Sequence, residues 1–302
     1  MNANNSIIHF LLDKTRAYLD EPTTNAKYDN DFLLSNYITP AMVNVVSRVN
    51  LSAANPILLS YDITLVTDQA RYVIPPNVGE IYRLGEETDQ GYISMDLTPK
   101  NEFHPIGPGW SIDGNTIKFR PVPQGGEAGE TRTIFYIPNG DFYMHYSDNG
   151  AVLDSTKKIV TLDNALSDDA DIGYLDKRAR AYEGAVIRLY KESGSSLVEE
   201  RVIRSYDHTN YKATVDTAFT NISNTSGLRY EIVPKGLTSM AQAISLAAAM
   251  DLGAGRNIQA KQMGYLTTQY KSAVKTVIDN HSNMQARTGK FFDGNTIDSK
   301  SR

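Results

Sequence analysis

Residues 198–234 read VEERVIRSYDHTNYKATVDTAFTNISNTSGLRYEIVP, and no other stretch constrains the fold as tightly. Three short runs, 200–205, 211–216 and 228–233, alternate apolar and polar residues. Asp, Asn, Gly and Ser separate them. Period-two alternation bounded by turn residues predicts antiparallel strands. Val202, Tyr211, Ala213, Val215, Tyr230 and Ile232 then share one sheet face, and the arginines, lysines and acids take the other. The pattern is that of a scaffold.

The same period begins after Pro56, where Tyr61, Ile63 and Leu65 alternate with Asp62, Thr64 and Val66. Strands are expected over 71–74, 80–84 and 92–97. Asp113-Gly114 between 110–112 and 116–120 is a hairpin signal. A strand over 131–137 follows, and Pro138-Asn139-Gly140 punctuates the chain, so a unit boundary is expected near 145–155. A second β-unit starts at 158–162, takes in 185–190 and closes at Pro234-Lys235-Gly236. Between these, 166–180 reads as a loop or a short helix.

The chain ends have helical spacing instead. Asn5 or Ser6 can cap a helix carrying Ile8, Leu11, Leu12, Thr15 and Leu19, which Pro22 ends. A second apolar stripe runs from Phe32 through Tyr37 and Met42 to Val49. Pro40 lacks a backbone N–H, which predicts a break or kink at Thr39. Near the carboxy terminus, Thr238 or Ser239 can cap one long helical region from Met240 through Ile244 to Leu266, Tyr270, Val274 and Val277. Gly253, Gly255 and Gly264 weaken its middle, each by roughly 1 kcal/mol relative to Ala. The alanines at 243, 247, 248, 249 and 254 allow close approach of the amino-terminal helices. From 281 onward the apolar period is lost; Arg287, Lys290, Lys300 and Arg302 against Asp293 and Asp298 give a local net of +2. Phe291-Phe292 stands out there as an anchor for a partner surface.

These readings give an α+β fold: a helical bundle formed from both chain ends, with a large antiparallel β insertion, sandwich or barrel-like. The expected divisions are 1–58 (amino-terminal helices), 59–145 and 146–235 (two β-units), 236–280 (a long helix on the first ones) and 281–302 (an extended tail). Leu11, Leu12, Tyr37, Met42, Ile244, Leu266, Tyr270 and Val274 are the expected packing residues of the helical body.

Composition removes several function classes. The formal net charge is −5, whereas wrapping nucleic acid needs a basic surface. Arg83, Arg120, Arg132, Arg201, Arg204 and Arg229 lie on or beside expected strands, where some could line a common polar face, but acids are interspersed. Cysteine is absent, so disulfides, thiolate nucleophiles and Cys-ligated metals are excluded. No secretory signal pattern is evident at the amino terminus, and the apolar window 244–252 is too short to span a bilayer.

Catalytic patterns are equally absent. His9, His104, His145, His208 and His281 have no metal-ligand spacing. Asp168, Asp169 and Asp171 lack the glycine and the closing glutamate of a calcium loop. Gly253-Ala254-Gly255-Arg256 follows an alanine-rich helix rather than a strand, unlike a phosphate loop. Ser193-Gly194-Ser195-Ser196 lacks the frame of a nucleophile elbow. Glu86-Glu87 and Glu199-Glu200 are adjacent strand residues that point to opposite faces, so neither pair converges on one bond. No enzyme, cofactor or metal is expected.

Three stretches carry a resemblance: Arg201-Val202-Ile203-x-Ser205-Tyr206-Asp207 with Ala213-Thr214-Val215-Asp216 and Tyr230-Glu231-Ile232-Val233-Pro234; Tyr72-Val73-Ile74-Pro75 with Glu80-Ile81-Tyr82-Arg83-Leu84; and 110–121, WSIDGNTIKFRP. Together with the helix–β–helix–tail order, the chain resembles the head–tail adaptor (connector, neck ring) proteins of tailed bacteriophages. The resemblance implies a structural virion protein at the head–tail neck, made in the host cytoplasm. It implies a homo-oligomeric ring, of twelve subunits, docked under the portal protein, carrying the tail nozzle or tube and surrounding the DNA exit channel close to genomic DNA. No membrane partner is implied. The carboxy-terminal segment, with Arg287, Lys290, Phe291 and Phe292, is then the expected portal interface. Two rivals remain: a carbohydrate- or receptor-binding β-module with Tyr92, Trp110, Tyr143 and Tyr146 as an exposed aromatic platform, and a virion-associated cell-wall hydrolase.

Overall fold

The computed structural model describes residues 6–22, 27–52, 56–88, 91–94, 109–163, 175–190, 197–223, 225–256 and 258–292, and within these not the side chains of 86–94, 149 and 281–292. Helix α1 (Ile7–Ala17) begins at Ser6, whose Oγ accepts the His9 N–H at 3.2 Å, and it buries Ile8, Leu11, Leu12 and Thr15. Helix α2 (Asn30–Leu33) is capped by Asp29. It runs through a π-helical turn, Leu34–Ile38, into α3 (Thr39–Ser52). The expected break at Thr39 is therefore absorbed by a widened turn. The π turn, in which the Thr39 N–H reaches back to the Leu34 carbonyl, widens the helix just where Pro40 supplies no N–H, and the apolar stripe stays on one face.

The expected single long helix is two. Helix α4 (Leu237–Gly255) follows Gly236, whose φ of 84° makes the turn into it, so Thr238 and Ser239 lie inside the helix. Helix α5 (Ala260–Phe292) starts anew after the glycine-rich end of α4 and is 33 residues long. It continues to Phe292, so the stretch from 281 is helical at first where an extended tail was expected. Helix α4 is buried on most sides, from Leu237 and Met240 to Leu252 and Gly253. Helices α1, α3 and α5 all pack on it, and its alanines keep those approaches close.

Among the described residues, seven strands belong to the first β-unit: β1 (Leu59–Thr64), β2 (Arg71–Val73), β3 (Val78–Thr88), β4 (Gly91–Ser94), β5 (Gly109–Asp113), β6 (Thr116–Arg120) and β7 (Thr131–Pro138). A four-stranded sheet, β1-β7-β3-β4, and a three-stranded sheet, β2-β6-β5, enclose a core of Tyr61, Ile63, Tyr72, Trp110, Phe119, Ile134 and neighbours. The hairpin at Asp113-Gly114 is present, with Asp113 opposite Thr116.

The second unit is a closed six-stranded antiparallel barrel. Its strands are β8 (His145–Leu153), β9 (Ile159–Thr161), β10 (Val186–Tyr190), β11 (Leu197–Asp207), β12 (Lys212–Val215) and β13 (Leu228–Val233), in the order β10-β11-β12-β9-β8-β13. The region 145–155, expected to be a boundary, supplies strand β8; the chain instead crosses between units at 139–141. Ala213, Val215, Tyr230 and Ile232 are buried as expected, and Tyr211 is half-buried. Val202 is not the inward residue of β11: Ile203 and Tyr206 are, because the register shifts between Ile203 and Ser205. One extra residue in a strand reverses the facing of every residue beyond it. Barrel and helices share one continuous core, separate from that of the first β-unit.

Candidate interaction site

Strand β13 is buried on both faces. Tyr230 and Ile232 point into the barrel, whereas Glu231 points to the helices at 1% exposure. Its carboxylate accepts Ser6 Oγ at 2.7 Å and the backbone N–H groups of Ile7 and Ile8 at 3.0 and 3.1 Å. Arg188 Nη1 donates from 2.7 Å, and the Tyr190 hydroxyl donates as well. A carboxylate can be buried here because the positive end of α1 and a guanidinium meet it together. Burial and the Glu231 charge push the Tyr190 hydroxyl well up. Nearby, burial and Arg229 lower the His9 pKa. Alternation alone assigns Glu231 to a solvated face; its donors come from residues 6–8 and 188–190, which only the fold brings together.

The barrel interior holds a polar aromatic cluster. His145 Nε2 lies 2.6 Å from the Tyr230 hydroxyl, which also accepts the Asp163 N–H at 2.8 Å. The Tyr182 ring stands edge-on to Tyr206 at 4.8 Å and to Phe142 at 5.6 Å. Tyr206 donates to the Asp176 carbonyl at 2.8 Å, and Tyr182 accepts the Asp176 N–H at 2.7 Å. Burial holds the Tyr182 and Tyr230 hydroxyls far above their usual range. With His145 fully buried, this cluster fixes the core and offers no substrate access.

The seam between the first β-unit and the rest is polar. On β1, Tyr61 donates to Glu183 Oε2 at 2.5 Å, and Arg180 contacts both groups. Glu183 Oε1 accepts the Tyr206 N–H at 3.2 Å. Burial raises the Glu183 pKa against the pull of Tyr61 and Arg180, and burial with the Glu183 charge raises that of Tyr61. Asp62 pairs with Arg204 of β11, and Arg178 forks onto Asp141 at 2.6 and 3.0 Å. On α3, Asn50 Nδ2 donates to the Pro138 carbonyl while its Oδ1 accepts the Ile57 N–H, both at 3.0 Å. A cleft of ≈ 530 Å³ lies along the seam, lined by Tyr61, Asp62, Gly184, Arg204, Ser205 and Lys235 among others. A second, of ≈ 310 Å³, adjoins it at Val202, Asp216 and Lys235 and reaches the start of α4.

The packing residues expected from sequence lie in the core of the single chain: Leu11, Leu12, Met42, Ile244, Leu266, Tyr270 and Val274 are buried and Tyr37 partly so. The six arginines do not line one face. Arg83 and Arg132 belong to the four-stranded sheet, Arg120 to the three-stranded one, and Arg201, Arg204 and Arg229 to the barrel. Several are held locally: Arg83 lies over Phe135, Arg132 pairs with Glu130, Arg201 with Glu199 and Arg229 with Asp148. The proposed aromatic platform is not assembled either, since Trp110 and Tyr146 are buried at 6% and 1%. Tyr143 is half-buried beneath Arg178, and the Tyr92 side chain lies outside the described residues.

Among the described residues no three His, Asp or Glu side chains cluster as a metal site, and no helix is long and apolar enough to cross a membrane. His104, Asp168, Asp169, Asp171 and the 193–196 stretch lie outside those residues, as do the side chains of Glu86, Glu87 and His281. Gly253–Arg256 is the end of α4, as its sequence context implied. The backbone of α5 passes through Arg287, Lys290, Phe291 and Phe292, whose side chains lie outside the described residues. No protein-family model matches the chain, and no curated protein matches it.

Proposed function

We propose that the chain is a structural subunit of a head–tail adaptor ring in a tailed-bacteriophage virion, set between portal and tail nozzle around the DNA exit channel. On this reading α1 and α3 join α4 and α5 in a bundle made from both chain ends, and the β-units project from it. The observation that carries the proposal is the length of α5. Its last residue in the described core is Ile278, yet its helix continues to Phe292, about 20 Å further at 1.5 Å per residue. The backbone of α5 thus carries the basic, Phe-bearing stretch with Arg287, Lys290, Phe291 and Phe292 on one continuous helix, a form suited to docking on a partner such as the portal. The interior polar groups bond one another, and among the described residues neither seam nor barrel presents an accessible nucleophile–base pair, which favours a structural role over hydrolysis.

Negative-stain microscopy of the full chain mixed with portal rings tests this. The expected result is a collar of added density at one portal face. Truncation after Asp279, which removes Arg287, Lys290, Phe291 and Phe292, should abolish the collar and leave the circular dichroism per residue of the rest near native. Absence of a collar with the full chain rejects the adaptor role. A collar formed by the truncated chain rejects the role given to the end of α5.

A further inference from the structure

We infer that the first β-unit, residues 59–138, is a pivoting arm, hinged on α3 at Asn50 and latched to the barrel by the Tyr61–Glu183–Arg180 cluster. Three observations converge on this. The arm has its own apolar core, and among the described residues Leu59 alone packs against both cores, so a swing gives up the Leu59 contact and bares the edge at Tyr61 while the rest of each core stays closed.

The second observation is the neck. The chain enters the arm through 56–58 and leaves it through 139–141. Asn50 bonds Ile57 in the first crossing and Pro138, the last residue of the arm, where the second begins. Beside them Gly140, at φ 82°, lies so close to α3 that a Cβ there would be 2.8 Å from Val43 Cα. Both crossings are thus gripped by the same helix, which fixes a pivot point while leaving the far end of the arm free to swing.

The third is the character of the seam. Away from the neck, arm and barrel meet through Tyr61 with Glu183 and Arg180, and through Asp62 with Arg204, across a cleft of ≈ 530 Å³. Water can replace the partly exposed Asp62–Arg204 pair at little net cost, and the buried Tyr61–Glu183 bond is the latch that holds the arm, whereas a shared apolar core would hold the two bodies as one. Glu183 keeps the Tyr206 N–H when the arm leaves, so the latch residue on the barrel stays partly satisfied and can re-engage. Swinging the arm would uncover Tyr61, Asp62, Arg204 and Lys235 together.

The chain has no cysteine, so paired spin labels can be placed cleanly. Tyr82→Cys on the arm and His208→Cys on a barrel turn are both at exposed positions. Pulsed electron resonance on the full chain should give one dominant distance for the otherwise native sequence. Tyr61→Phe with Arg204→Ala, and separately Glu183→Gln, should each add a second population amounting to at least a severalfold rise in the minor distance. Trp110 emission should stay unshifted in both variants, because the arm's core is untouched. A single unchanged distribution in both variants overturns the pivot. So does a red shift of Trp110, which would mean that the seam keeps the arm folded rather than parked. Portal binding plays no part in this readout, so its outcome is independent of the adaptor proposal.

Discussion

Glu231 and Ile8 stand 223 positions apart, yet the carboxylate of one accepts the backbone N–H of the other at 3.1 Å. Together with Ser6, Ile7 and Arg188 this contact fastens α1 to the outside of the barrel. The helical and barrel parts therefore share a core through an ionic rivet at its edge, and the amino-terminal helix is placed by a strand near the other end of the chain.

Removing that rivet should be costly. Glu231→Ala leaves Arg188 buried without its main partner, and the expected loss is about 3–5 kcal/mol in urea unfolding. Arg188→Ala should cost a similar amount. The double variant should lose clearly less than the sum, because the second removal relieves the charge stranded by the first. Simple additivity would show that the pair is not coupled.

At the neck, Asn50→Ala removes bonds to both Ile57 and Pro138. A loss of about 1–3 kcal/mol is expected, with the Ile57 amide exchanging markedly faster by hydrogen-exchange mass spectrometry. Unchanged exchange at Ile57 would mean that other contacts hold the crossing.

Gly140→Ala combines a left-handed backbone with a Cβ pressed 2.8 Å from Val43 Cα. Gly114 is also left-handed, at φ 59°, but has open space around it. The Gly140 variant should lose well over about 1 kcal/mol and the Gly114 variant roughly 1 kcal/mol. Equal melting temperatures for the two would discount the contact with α3.

Trp110 is the chain's single tryptophan and sits in the core of the first β-unit, while the helices belong to the other core. Its fluorescence and the circular dichroism at 222 nm should therefore give different unfolding midpoints. Coincident midpoints at every denaturant concentration would show that the two cores melt as one.

The pH dependence has an identifiable contributor at the β8–β9 turn. Slight burial opposes ionisation of Asp154, but hydrogen bonds from Thr156, Ile159 and Lys158 outweigh it and hold the pKa at about 2, below the ordinary 3.8. The folded chain then binds fewer protons here than the unfolded one. Its contribution is present above about 3.8 and disappears as pH falls towards 2. Asp154→Asn should flatten the stability profile in that window, measured as the wild-type minus variant difference. A constant difference from pH 5 to 2 would contradict the assignment. Glu183 acts with the opposite sign: its raised pKa makes the folded chain the better proton binder, so its contribution weakens as pH rises through the carboxylate range.

Much of the element order was written locally. Alternation located every strand of the two β-units except β8, and Asp113-Gly114 located a hairpin, because those signals depend on neighbours two or three residues away. Ser6 announced the start of α1, and Pro40 marked the place where helix geometry had to change. Which face of a strand counts as outside was not local information. The phase of β11 turned on a bulge, and the burial of Glu231 turned on a helix from the far end of the chain. Strand β8 escaped notice because His145, Ser147, Asp148 and Asn149 dilute its alternation, and His145 and Ser147 are buried only because the barrel closes around them.

The sequence by itself determined where most of the helices and strands form, β8 and the division of α4 from α5 excepted, since propensity, period and capping act over a few residues. Tertiary structure alone decided that six strands close into a barrel sharing its core with the helices, that the first β-unit keeps a separate core, and that Tyr61 meets Glu183 across a polar seam. Those outcomes depend on burial and pairing between residues from tens to more than a hundred positions apart, a scale on which periodicity carries no signal.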